Sequence, residues 1–225
     1  MDSAETRVLR RLSSLAGGVR RRVYRAVAAK HPEAVDRDEV ARAVGISRSL
    51  AAYHLDRLAS DGLIEVSFAR RSRRSGPGAG RPAKFYRRSS REMTVSVPAR
   101  RHQLAAQVLA RTVTDVGAGE ALAAAGREEG RRIGAHAREG ARETGLSEVL
   151  SEHGFEPVET EGTIRLRNCP FSPLTSELDS VVCSMTRELV GGIAEELSGK
   201  VTVRAEPKPG FCCVVVEKVG DNSAT

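Results

Sequence analysis

The stretch DRDEVARAVGISRSLAAYHLDRLASDGLIEV (Asp36–Val66) is punctuated so closely that it has little freedom in how it can fold. Asp36 is an N-cap with Glu39 three residues on, the spacing of a capping box, and it opens a short helix to about Val44. Gly45-Ile46 makes a turn. Ser47 caps a second helix that runs to about Ser60 and puts Ala51, Leu55 and Leu58 on one face. Asp61-Gly62 ends it, because glycine tolerates the left-handed conformation that helix C-termini often need. Leu63–Phe68 then reads as a strand, and Lys84–Arg87 as its partner across a loop rich in Gly, Pro and Arg. Upstream, Val19, Val23, Ala26 and Val27 recur at helical spacing and predict a helix over about 19–30, ended by His31-Pro32.

Charge gives this order of elements a chemical meaning. The chain has 225 residues and a net charge of +7, split as +12 over residues 1–100 and −5 over 101–225. A basic half beside a mildly acidic one points to a polyanion-binding module joined to something else. Arg70, Arg71, Arg73, Arg74, Arg81, Lys84, Arg87 and Arg88 crowd one hairpin without an acidic residue among them. A helix-turn-helix lays its second helix in the major groove, with base contacts near that helix's N-terminus. Those positions are Ser47, Arg48 and Ser49, with Tyr53, His54 and Arg57 on the following turns. Arg48 suits the O6/N7 edge of guanine, and the two serines suit phosphate or base. The hairpin residues Arg70, Arg71, Arg73, Arg74, Arg81 and Lys84 suit phosphate or the minor groove. Individually, Tyr53 and His54 fit packing or solvent equally well. The competing reading of the whole unit is an adaptor whose basic loop binds acidic proteins or RNA.

The rest of the chain reads as α+β. Alanine-rich helices are expected at about 99–112 and 120–143, the second with Ala, Gly and Ile133 among its apolar positions and so suited to close helix contact in a dimer. A short helix at 146–153 precedes a hairpin of 155–158 with 163–167. A helix over about 178–197, broken at Gly191-Gly192, leads to a second hairpin of 201–205 with 211–217. The expected organisation is a DNA-binding domain over 1–97, a helical linker and dimerisation segment over 98–145, and an α+β sensor domain over 146–220. The N-terminus lacks the apolar core of a signal peptide and no apolar run approaches a membrane span. The expected compartment is the cytoplasm, where stable disulfides are rare.

All four cysteines lie late in the chain, spaced Cys169-x13-Cys183-x28-Cys212-Cys213. This is not the compact C-x2-C pairing of zinc ribbons. Thiolates that converge in space hold zinc or iron–sulfur clusters, and Cys169-Pro170-Phe171 places an aromatic where it can keep water off such a group. Neighbours on a strand point to opposite faces, so one of Cys212 and Cys213, rather than both, is expected to serve. Buried inert thiols are the bland alternative, since free cysteine is among the most buried residue types. No phosphate loop, H-E-x-x-H or G-x-S-x-G occurs, and the five histidines do not cluster with the cysteines in sequence. No enzymatic activity is expected.

LDRLASDGLIEV followed by GAGRPAKFYR resembles the winged-helix regulators loosely grouped with the ArsR and DeoR repressors. The resemblance covers roughly residues 19–90. It implies a winged helix-turn-helix that binds pseudo-palindromic double-stranded operators as a homodimer. Well-separated cysteines behind such a domain resemble the SufR-type iron–sulfur repressors. That resemblance implies a cluster, with 4Fe-4S the candidate type, on Cys169, Cys183 and one of Cys212 and Cys213. The intervals are slightly longer than that family's, and the further cysteine it commonly carries between the second and last ligands is absent. This leaves the cluster type and its fourth ligand open. The expectation is therefore a repressor sensing iron or redox state, the alternative being a regulator that senses a small molecule or thiol oxidation and holds no cluster.

Overall fold

The computed structural model describes residues 4–69, 82–90, 100–139, 144–198 and 201–218. The chain divides into two compact units, Met1–Arg100 and Arg101–Thr225.

The first unit holds helices α1 (Ala4–Ser13), α2 (Gly18–Ala28), α3 (Arg37–Val44) and α4 (Arg48–Ser60). Its strands are β1 (Val35–Asp36), β2 (Ile64–Ala69) and β3 (Ala83–Arg88), in sheet order β1-β3-β2, all antiparallel. The expected capping box is present. Asp36 Oδ1 accepts the Asp38 and Glu39 N–H groups at 2.7 and 3.0 Å, and Glu39 Oε2 accepts the Asp36 N–H at 2.8 Å. These bonds satisfy N–H groups that the first turn of a helix leaves without partners. Gly45 ends α3 in the left-handed region at φ 71°, where a Cβ would strain the chain. Around the turn, Ser47 Oγ accepts the Leu50 N–H at 3.2 Å and starts α4. Val23 and Val27 of α2, Val40 of α3, Leu55 and Leu58 of α4, Ile64 of β2 and Tyr86 of β3 form one buried core. Sequence reading did not anticipate α1 or the two-residue β1.

The second unit contains α5 (His102–Asp115), α6 (Gly119–Glu139), α7 (Leu146–Glu152) and α8 (Ser172–Leu197). Its sheet is antiparallel, in order β4-β5-β7-β6, with β4 (Pro157–Thr160), β5 (Thr163–Leu166), β6 (Val201–Ala205) and β7 (Val214–Lys218). The two hairpins expected from sequence thus meet through β5 and β7. The buried core joins Leu150, Phe155, Ile164, Leu166, Val190, Ile193, Val214 and Val216.

Two expectations about helices need correction. The break in the last helix lies at Leu178, whose φ of −134° leaves the helical region, and not at Gly191-Gly192. Those glycines instead serve close approach. A Cβ on Gly192 would sit 2.2 Å from the Arg127 carbonyl oxygen, and one on Gly130 would sit 2.1 Å from that of Leu189. The glycine face of α6, read as a dimer surface, is accordingly spent within the chain: Gly126, Gly130 and Gly134 are buried against α8. Arg127 pairs with Glu188 and Glu195, and Arg131 with Glu195 at 2.9 Å, along the same seam. Among the described residues no helix is long and apolar enough to cross a membrane.

Candidate functional site

Helix α4 presents Ser47, Arg48, Ser49 and Leu50 exposed at its N-terminal end. Capping already engages the Ser47 hydroxyl, which also lies 3.1 Å from that of Ser49. Arg48 Nε is 2.7 Å from Asp38 Oδ1, so its guanidinium ties the two helices of the motif together while staying half-exposed. One turn on, Tyr53 is 60% exposed and meets His54 edge to face, ring centroids 5.2 Å apart. Arg57 lies 3.6 Å from Asp61 Oδ2, an ionic contact too long for a hydrogen bond. Ser49, Tyr53 and Arg57 therefore share an outward face.

His54 turns the other way. It is half-buried, its Nδ1 has no hydrogen-bond partner, and burial followed by the Arg20 charge holds its pKa below 6.5. A half-buried imidazole held against Tyr53 fits the packing role that its place in the sequence also allowed.

Lys84 sits on β3, and its Nζ is 2.5 Å from Asp56 Oδ1 of α4. Tyr86 OH donates to the same carboxylate oxygen at 3.1 Å. Burial and the neighbouring Asp56 carboxylate push the Tyr86 phenol up to about 12. One aspartate on the second helix thus fixes that helix to the sheet through two residues of one strand. The bond gives Lys84 a positioning role, and any phosphate it meets competes with Asp56. Arg70, Arg71, Arg73, Arg74 and Arg81 lie outside the described residues.

In the second unit the four cysteines, all free thiols, come from three separate segments and meet. Cys169 precedes α8, Cys183 lies on α8, and Cys212-Cys213 precede β7. Cys169 hydrogen-bonds Cys212, Cys212 bonds Cys213, and Cys213 bonds Cys183. Strand alternation does not separate Cys212 from Cys213, because both lie in the bend before β7 begins at Val214. The hydrogen bonds run from Cys169 through Cys212 and Cys213 to Cys183, and Cys169 also feels the charge of Cys213 and Cys183. Among the described residues no group of three or more His, Cys, Asp or Glu is arranged to hold a metal ion.

The thiols are not equivalent. The Cys212 hydrogen bond holds the Cys169 thiol below its usual value against the opposing effect of burial. Cys212, sharing that bond and buried, is pushed up, and burial raises Cys213. Of these three, Cys169 is therefore the thiol that most readily loses its proton. Phe171 packs edge to face on Phe155 beside it, centroids 6.1 Å apart.

Residues 15–67 match the family model of a helix-turn-helix domain. The match takes in β1 and ends inside β2, and with β3 these strands make the three-stranded sheet that gives the domain the form of a winged helix. A domain of this kind suggests a DNA-binding transcription regulator. No curated protein and no solved structure matches the chain.

Two exposed apolar side chains beside the basic face of the helix-turn-helix unit were not singled out from sequence. Leu50 lies on the first turn of α4, and Phe68 on β2 is 65% exposed. An aliphatic or aromatic group there suits the thymine methyl. The signal for Leu50 was its place about a quarter turn round the helix from the buried Ala51–Leu55–Leu58 stripe. Elsewhere, a cleft of about 440 Å³ between α6 and α7 is lined by Glu129, Arg132, Ile133, His136, Glu152 and His153 among others.

Proposed function

We propose that this protein is a transcription repressor that binds double-stranded DNA as a homodimer through α4 and the basic wing. In this reading Cys169, Cys183, Cys212 and Cys213 hold an iron–sulfur cluster that reports iron or redox state. The observation that carries it is the meeting of all the chain's thiols, drawn from three segments, at one half-buried place beside Phe155 and Phe171. Soft thiolate donors of this kind suit a cluster, and partial burial keeps water from it. Such a group supplies a ligand whose loss or oxidation follows cellular iron and oxidant levels. Holding it requires the touching thiols to spread around a centre. Cys183 rides on α8, which also packs against α6, so spreading moves a helix and not just a loop. A ligand that distinguishes two arrangements in this way can shift their populations.

Protein purified without oxygen is expected to be brown, with iron and acid-labile sulfide, and to bleach in air or on Cys169→Ser. Colourless protein lacking both after reconstitution ends the cluster reading. Duplex DNA from upstream of the protein's own gene should shift in a gel, and Tyr53→Ala should weaken that shift. Failure with duplex DNA favours the adaptor reading.

A specific contact also favours a second reading, thiol oxidation. Cys169 and Cys212 are already hydrogen-bonded, and Cys169 is the better thiolate. Hydrogen peroxide would take two electrons and two protons from the pair, leaving one disulfide and two waters. Non-reducing peptide mapping after peroxide treatment identifies that bond.

A further inference from the structure

We infer that the outward face of α5 is the seam at which a second copy of this chain pairs with the first, antiparallel. The inference deepens the two-copy part of the reading above and rests on it. Ala106, Ala110 and Val113 are half-covered positions of α5, which packs on α8. The larger aliphatic groups point away: Leu104, Val108, Leu109 and Val116 are 58, 56, 67 and 69% exposed. At 3.6 residues per turn these four occupy one arc of about 140°. A helix whose only partner is its own chain puts its largest apolar groups inward. Here alanines face inward and leucines outward, as in a helix with a second partner.

Charge identifies that partner as the same surface turned end for end. Arg101 and His102 stand at the N-terminal end of α5 and Asp115 at its C-terminal end. The first turn holds no acidic residue and the last no basic one, so each end opposes its own helix dipole. A parallel copy would set like charges side by side. An antiparallel copy centred on Val108-Leu109 places Asp115 of each chain opposite Arg101 and His102 of the other. The twofold axis makes this pairing twice, as an isologous interface requires. Ala105 and Thr112 lie between the larger groups on that arc, and their small side chains let the helices approach.

Sedimentation equilibrium on the full chain tests the seam. Wild type is expected at twice the chain's mass, and Leu104→Glu with Leu109→Glu at the monomer mass under the same conditions. Asp115→Arg should raise the dimer dissociation constant roughly tenfold, since two facing pairs become repulsive. Arg101→Glu added to Asp115→Arg should restore it to within about twofold of wild type. These two changes lie at the surface, so they remain informative if the double glutamate variant fails to fold. A monomeric wild type overturns the inference, as does a double glutamate variant that stays dimeric or a charge swap that restores nothing. Mass is read without DNA, so failure of the operator-binding reading leaves this result standing, and the reverse holds as well.

Discussion

In the unit spanning residues 1–100, polar side chains set the geometry: Asp36, Glu39 and Ser47 fix where helices begin, and Asp56 fixes α4 against β3. In the unit spanning 101–225, missing side chains set it, because Gly126, Gly130 and Gly192 let two helix backbones touch. A hydrogen-bonded cap is a local device that can be read three residues at a time. A backbone contact between α6 and α8 joins positions about sixty residues apart and leaves no mark at either site beyond a small residue. The first arrangement suits a face whose side chains must hold one fixed geometry. The second lets a long helix carrying Cys183 lie backbone to backbone against its neighbour, with arginines of α6 paired to glutamates of α8 along the seam.

The comparison breaks most visibly at the two cores. Leu55 is fully buried in the first unit, so Leu55→Ala should cost about 2–5 kcal/mol. Hydrogen exchange should quicken in α2–α4 and stay unchanged in α6–α8. Exchange rising equally in both units would show that they share one cooperative core.

The glycine seam offers a sharper contrast. Gly130→Ala and Gly192→Ala meet backbone and should each destabilise the second unit by about 1–3 kcal/mol in chemical denaturation. Gly191→Ala meets nothing nearer than the far end of the Arg127 side chain at 3.4 Å. It should be neutral or stabilise by up to about 1 kcal/mol through helix propensity. Equal effects at the adjacent glycines would remove backbone approach as the explanation.

Smaller still is the capping box, where Asp36→Ala should lower the stability of the first unit by about 1 kcal/mol in thermal melts. Because Asp36 supports a helix start and not the core, retention of the full fold is expected.

The smallest effect is that of pH. The folded-state pKa of His54 lies below 6.5, so between that value and 6.5 the unfolded chain binds more protons than the folded one. Stability of the first unit therefore falls as pH drops through 6.5 and levels off below the folded-state pKa. Urea melts of wild type and His54→Gln across this range should diverge toward acid, with the variant the flatter.

The sequence alone determined the order of elements from α2 to β3, β1 excepted, both helix caps and the two hairpins of the second unit. These depend on contacts within a few residues, and Asp36, Gly45, Ser47 and Gly62 announce them. It also supplied the inventory of thiols and the concentration of charge in the first hundred residues. Tertiary structure alone decided what those groups do. It made Lys84 a brace for α4, turned His54 inward, and paired β1 with β3 where two residues carry no strand signal of their own. It moved the glycine face of α6 from a supposed dimer surface to the α8 contact and brought Cys212 and Cys213 into the same group of thiols. The physical reason is the range of the interactions. Hydrogen bonds at a helix end close over three or four residues, whereas burial, backbone approach and the meeting of thiols are set by which distant surfaces the folded chain brings together.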